Sequence, residues 1–518
     1  MKKYLLFLTL FISTAIVAQV PEDALRYSFY PQNGTARNMA IGSAMGSLGG
    51  DLNATFVNPA GLGFYKTGEI VFTPGLMMNN NKVNFRESAN ENKKNAFAFG
   101  TSGIVWGFGT RYKKNVSNAI SLAVNQTANF NNQVRYKGLN NYSSFSEQFA
   151  EEFAKANTRY GYSIDDVLNS NSPLPYGSAP ALYTYLIDTI SVNGVYQVKG
   201  APEYILDAKQ ALRQEMNRTT KGGITEIAIG FAHNNDDKWF FGATLGIPIV
   251  NYSSNTNFVE SDTSNNTSNH FKQFEYNDDF TTRGVGLNAK LGVIYRPKEY
   301  IRLGLAVHTP TFMGLTDTRT TSLSTQLENP IGSFNTTSKT FTSGQPGKSS
   351  YTQTTPFKAI LSASYVFREI SNVKKQRAFI TADVEYVGYR GSRFNSDNEA
   401  PTENEKAYYK QLNEVVKEEY KGNFNFRVGG ELKFNIIMAR LGFAYYTNPY
   451  KNAPEKINKM LLSGGLGYRN KGIFIDLTYV HNMTKDIDLP YRLEDRANTY
   501  ASVKQQRGNV VATVGFKF

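Results

Sequence analysis

The sequence contains no cysteine. That excludes a disulfide framework, a zinc–thiolate centre and a thiol nucleophile. It holds 2 tryptophans and 4 histidines among 518 residues. The histidines, His233, His270, His308 and His481, are scattered and show no metal-ligand spacing. Past residue 18, no stretch approaches the ~18 uninterrupted apolar residues that a membrane-crossing helix needs. A phosphate loop is also missing. In "TSGQPGKSS", Thr342 stands where that motif requires glycine, and no apolar strand leads into it. No enzymatic activity and no cofactor are expected.

What is present is aromatic, glycine-rich and basic: 35 Phe, 32 Tyr, 43 Gly and a formal charge of +13. The mean hydropathy is only −0.40. The chain opens with Lys2 and Lys3, an apolar run from Leu5 to Ile12, and small residues up to Ala18. This reads as an export signal at 1–18, cut between Ala18 and Gln19. Its removal takes the charge from +13 to +11. An exported basic chain points away from nucleic acid. It points to a surface of anionic headgroups, here outer-membrane lipid and lipopolysaccharide.

The dominant signal has period two. Phe424, Phe426, Val428, Leu432 and Phe434 fall on one face of a strand, and Asn425, Arg427, Glu431 and Lys433 on the other. The same alternation marks Ile301–His308, Leu287–Tyr295, Trp239–Ile249, Ile120–Phe130, Phe357–Phe367, Ile380–Tyr386, Leu441–Tyr445 and Ile473–Tyr479. Short links near 234–238, 297–300, 435–438 and 469–471 alternate with long ones near 139–221, 251–275, 316–353, 391–421, 447–459 and 484–505. Short turns on one side and long loops on the other are the asymmetry of outer-membrane barrels; a soluble sandwich has no need of it. The reading is all-β: a transmembrane antiparallel barrel of about fourteen strands over 66–518. The last strand ends on Phe518, the signal offered to barrel-assembly machinery. Glycines at 100, 103, 107 and 109 predict a bend in the second strand, and Pro74 predicts broken pairing in the first.

Helical spacing recurs in the long loops: Phe145, Phe149 and Phe153; Ile205, Ala208, Leu212 and Met216; Tyr408, Leu412, Val415 and Val416. These predict amphipathic helices over the barrel mouth, packed on one another or forming an access groove. The Ser/Thr-rich 316–353 reads as a loop.

Residues 19–65 do not read as strand. "ARNMAIGSAMGSLGGDLNATFVNPAGLG" (36–63) is small and glycine-rich, and Asn58-Pro59 marks a turn. A fourteen-stranded lumen is wider than its own side chains can fill, so this segment is expected to plug it. The stretch resembles the hatch of the FadL/TodX family of outer-membrane transporters of long-chain fatty acids and hydrocarbons, with Asn58, Pro59 and Ala60 on its Asn-Pro-Ala motif and Gly61 following. "GLNAKLGVIYRPKEYIRLGLAVHTPTFMGL" (286–315) and "FRVGGELKF" are similar to its strands. The resemblance implies a fourteen-stranded barrel, an N-terminal hatch and lateral release of a hydrophobic small molecule through a wall defect. The insertion 139–221 departs from it.

In that reading the hatch shifts around Asn58, Pro59, Ala60 and Gly61. Lys290 and Arg427, inward and near mid-strand, are the lumen candidates for an acidic headgroup; the alternative is a structural charge network. Asp383 and Glu385 share an inward face, either for acid–base work or to balance cations such as Arg427 or Lys433. The rival function is an outer-membrane shuttle whose loops hold a protein partner.

Overall fold

A computed structural model describes residues 22–109, 115–192, 195–264, 266–328, 330–367, 377–452 and 457–518. The export signal lies outside them. Residues 22–65 carry the short helices α1 (Asp23–Arg26), α2 (Ala36–Ala40) and α3 (Ala54–Val57), then a 3-10 turn at Pro59–Phe64.

The strands form fourteen staves. The first is β1 (Glu69–Phe72) with β2 (Pro74–Phe85), the second β3 (Ser88–Phe99) with β4 (Ser102–Gly109), the third β5 (Ser117–Asn129) with β6 (Asn132–Asn140). An excursion follows with α4 (Ser146–Tyr160), α5 (Ile164–Leu168), α6 (Ser178–Tyr183), the hairpin of β7 (Ile187–Val192) and β8 (Val195–Gly200), and α7 (Glu203–Asp207). The next staves are β9 (Leu212–Asn235), β10 (Trp239–Asp262) and β11 (Gln273–Lys298). The seventh joins β12 (Ile301–His308) to β13 (Phe312–Gln326), with β14 (Ser333–Thr337) appended. The eighth joins β15 (Gly347–Thr354) to β16 (Lys358–Phe367), and the ninth β17 (Ala378–Gly388) to β18 (Arg393–Ser396). After helix α8 (Glu403–Glu419) come β19 (Gly422–Phe434), β20 (Ile437–Tyr446), β21 (Lys459–Asn470), β22 (Ile473–Asp488) and β23 (Ala501–Lys517). All ladders are antiparallel, and β23 pairs with β1 and β2, closing the cylinder.

The faces are inverted relative to a water-soluble sheet. On β19, Phe424, Phe426, Val428, Leu432 and Phe434 are exposed, while Asn425 and Arg427 are buried. On β10 the outward residues Trp239, Phe241, Leu245, Ile247 and Ile249 form one exposed apolar run. A tilted strand needs ~9–11 residues to cross a bilayer, which Trp239–Ile249 supplies. Aromatic rings bound the band at both edges: Trp239 stacks on Tyr295 at 4.2 Å at the short-turn end. Phe357, Tyr386 and Phe424 meet at 5.7 and 5.2 Å at the other. An exposed apolar belt with flanking aromatics is stable only against hydrocarbon, so the barrel spans a membrane.

Three features beyond that belt depart from a plain strand-and-loop barrel. The first hairpin has no long loop, because β2 and β3 continue to a two-residue turn at Arg86-Glu87. The outward face there is polar, while Val83 and Phe85 are buried inward in the cap, so the outward apolar alternation ends before the strand does. Leu212 and Met216 are not helical. They lie in β9, buried with Phe258 and Phe274, and only Glu203–Asp207 coils. Residues 316–353 are not a plain loop either: β13 runs to Gln326, and β15 pairs back on it. The other two helices form as expected. Phe145 lies at the start of α4, and Phe149 and Phe153 within it; all three are buried in a cap over the long-loop end. Tyr409, Leu412 and Val416 of α8 are buried with Tyr27 and Tyr389.

The cap contains two acids in apolar surroundings. Glu260, far beyond the belt on β10, accepts from Phe145 N at 3.2 Å and from Gln214 Nε2 at 2.6 Å. Glu147 accepts from Ser144 N at 2.7 Å and pairs with Arg496. Burial pushes each carboxyl up to about 7. A raised carboxyl pKa stabilises the folded cap fully below the unfolded value, and that stabilisation is lost as pH rises through about 7. Amide-exchange protection of α4, corrected for intrinsic rates, is therefore expected to be higher at about pH 5.5 than at about pH 8. Glu260→Gln should flatten the difference, and a cap better protected at the higher pH would refute this assignment.

Candidate functional site: the hatch and the adjoining seam

Residues 22–65 lie inside the lumen. Asn58 caps the 3-10 turn by accepting from Ala60 N at 3.1 Å, and Pro59 fixes its first residue. The Asn58 Nδ2 donates to Gly46 O at 2.6 Å, tying two hatch segments together. Asn58, Pro59, Ala60 and Gly61 are all buried. The wall admits them because β11 has Gly292 opposite: a Cβ there would overlap Asn58 Oδ1. Across the bore, a Cβ at Gly442 of β20 would overlap the backbone of Ile41 and Gly42.

Inward polar side chains fasten the hatch. Met45 N and Gly46 N each donate to Asp383 at 3.1 Å. Arg427 donates to Glu385 at 3.2 Å and to Gln32 Oε1 at 2.8 Å. Gly42 N donates to Ser463 Oγ at 3.2 Å, and Ala36 N to Thr513 Oγ1 at 2.7 Å. Asp383 and Glu385 thus balance Arg427 and hold the hatch backbone. Lys290 pairs with Glu226 and donates to Asn288 Oδ1 at 2.8 Å. Lys290 and Arg427 face the lumen, but each is buried in a network of its own.

The first residues of the hatch meet the wall through aromatic rings. Phe29 meets Tyr389 at 5.6 Å, and Tyr27 meets Phe130 at 6.1 Å. Lys459, which sequence reasoning missed, has its ammonium 3.9 Å from the Phe29 ring and donates to Phe29 O at 2.5 Å. Its signal was inward phase with Leu461 and Ser463 on β21.

Beside β3 the wall loses its ladder. β4 pairs with β5 from Gly109↔Ser117 to Ser102↔Val124. Above Gly100 the two staves part: β3 pairs only with β2, and β6 only with β9. No backbone ladder joins β3 to β5 or β6 among the described residues. Gly100 has no room for a Cβ, which would overlap Gly34 O of the hatch. Side chains close the gap instead. Gln126 Oε1 accepts from Phe99 N at 3.3 Å, Asn129 donates to Phe97 O at 3.2 Å, and Asn92 donates to Arg135 O at 2.8 Å. Asn33, from the hatch side, donates to Phe99 O at 2.9 Å and Gln126 O at 2.8 Å, bridging both lips. The seam begins at the upper edge of the apolar belt, since Gln126 pairs with Thr225 and Thr225 with Ile249.

A closed membrane barrel, corked from within and unladdered beside the cork, defines a class of corked transmembrane barrels. No family model matches the sequence, and no curated protein matches it. Among solved structures, a FadL homologue of Pseudomonas aeruginosa superimposes with a TM-score of 0.52 at 14% identity, covering 93% of this chain and 98% of its own. The toluene transporter TodX of Pseudomonas putida gives 0.51 at 14% identity, covering 94% and 99%. The chain shares their fold, as the resemblance in residues 36–63 and 286–315 implied.

Proposed function

We propose that this protein sits in the bacterial outer membrane and passes a hydrophobic small molecule, of the long-chain fatty acid or hydrocarbon class, from the barrel lumen sideways into the bilayer. The seam between β3 and β5–β6 carries this reading. It adjoins the hatch, and it opens at the belt edge, where an apolar solute leaves water. Each CH₂ moved into hydrocarbon gains about 0.8 kcal/mol, so a lateral exit is downhill where an aqueous pore is not. Similarity of fold to a FadL homologue and to a toluene transporter supports the reading. In this account the Asn33 bridge and the Asn58–Gly61 turn move together to part the lips. A cation such as Lys459, which donates to the Phe29 carbonyl and faces Asp486, suits an acidic head; Arg427 anchors the hatch through Gln32, and Lys290 is held by Glu226 and Asn288 of the wall.

Pro59→Ala loosens the turn without touching a ladder. It is expected to lower uptake of a labelled fatty acid in proteoliposomes several-fold while heat-modifiable barrel assembly stays normal. Uptake equal to the parent would remove Pro59 from gating. Mass spectrometry of molecules carried through mild-detergent purification tests the ligand class. An apolar small molecule is expected; a protein held on the cap at unit stoichiometry would favour the shuttle.

A further inference from the structure

Outside the barrel, three rows above the last apolar row, three lysines stand side by side. Lys485 of β22 is directly opposite Lys504 of β23, and Lys504 is directly opposite Lys82 of β2. All three are exposed and face outward. Like charges directly opposed across a ladder destabilise a sheet, so the row calls for a counter-anion. The protein supplies little. No described residue forms an ion pair or hydrogen bond with these three ammonium groups. Glu91, opposite Lys82, is shared: it accepts from Asn80 at 2.7 Å and lies 3.9 Å from Lys93. Asp486 follows Lys485 but pairs with Val503, whose side chain is buried, so it falls on the inner face.

Height identifies the anion. Below the lysines the outward rows read Asn80–Gln506–Met483, then Met78–Gly508–His481, then the apolar Leu76–Val510–Tyr479. The lysines stand three row steps above that apolar row, about 20 Å along a strand or roughly 14 Å of height at a 45° tilt. The headgroup layer lies directly above hydrocarbon, and the long lysine stems reach down toward it from the row above. A soluble anion would have no reason to be met at this level on a lipid-facing wall.

We propose that Lys82, Lys485 and Lys504 form a site for a phosphate-bearing lipid headgroup of the leaflet at the long-loop end. The inference rests on the outer-membrane placement proposed above. Lys93 extends the site on β3, the strand that forms one lip of the seam. A bound lipid would therefore lie against the exit.

The test uses the full chain in detergent micelles, with native mass spectrometry of lipid A, of dephosphorylated lipid A and of inorganic phosphate as probes. The parent is expected to retain lipid A about tenfold better than the dephosphorylated form. K82Q/K485Q/K504Q should lose that preference, and K82R/K485R/K504R should keep it. Equal retention by the Gln variant would overturn the site. So would a parent that ignores the phosphate groups, or one that binds inorganic phosphate as well as lipid A. Fatty-acid uptake is scored separately on the same proteins, so a failed transporter reading and a failed lipid site give different results.

Discussion

With cysteines at Phe97 and Asn129, oxidation is expected to lower proteoliposome uptake of a labelled fatty acid about tenfold, and a reductant to restore it. The absence of native cysteine makes the pair clean. Asn129 Nδ2 lies 3.2 Å from Phe97 O, so the two lips touch at this pair. A covalent strap there replaces side-chain amide bonds, each worth about 1 kcal/mol net, with a link that thermal motion does not open. The control pair is Leu462→Cys with His481→Cys, outward neighbours on the laddered β21 and β22. Oxidising that pair should leave uptake unchanged. If the Phe97–Asn129 strap also left uptake unchanged, the exit would lie elsewhere.

The second large effect concerns the cork. Gly292→Val and Gly442→Val each place a branched side chain where hatch atoms already sit. Overpacking of this kind costs about 1–3 kcal/mol, and the hatch gives way before the wall, where Gly292 and Gly442 are each laddered to a strand on both sides. The barrel should still assemble. Small hydrophilic solutes should then leak through it, with liposome-swelling rates rising about tenfold or more for the double variant. Gly314→Val is the control, because a Cβ there meets nothing within 4 Å. A double variant that remained sealed would mean that the hatch does not cork the bore.

Much of this is legible in the sequence. Within the belt, one strand face must satisfy hydrocarbon and the other a polar lumen, so Phe424–Phe434 and Trp239–Ile249 announce themselves. Beyond the belt that demand ends. Asn79 to Asn84 and Leu212 to Asn217 continue as strand with no apolar alternation facing outward, and the long-strand architecture was lost there. Phe145, Phe149 and Phe153 were readable as a helix because they still pack against a core. The hatch was placed by its resemblance and its glycine content.

The seam and the lysine row were not readable, and for one reason: both are properties of register. Lys82, Lys485 and Lys504 are hundreds of residues apart in part, and only the closing ladder of β23 makes them neighbours. The missing ladder beside β3 left a trace in Gly100 and in the asparagines of 79–81 and 129–132. Glycine predicts a bend, but it does not say which neighbour is lost. Lys290 and Arg427 were correctly phased inward. Phase alone could not reveal that Glu226 and Glu385 stand beside them.

The lateral route is tested most directly by a diazirine-bearing fatty acid photolysed during uptake in proteoliposomes, with adducts mapped by mass spectrometry. The account predicts adducts on both lips of the seam, around Phe97–Phe99 and Gln126–Asn129, and none on the wall below the hatch around Phe474 and Asp476. Adducts below the hatch with clean lips would contradict it, because the molecule would then have passed straight down the bore.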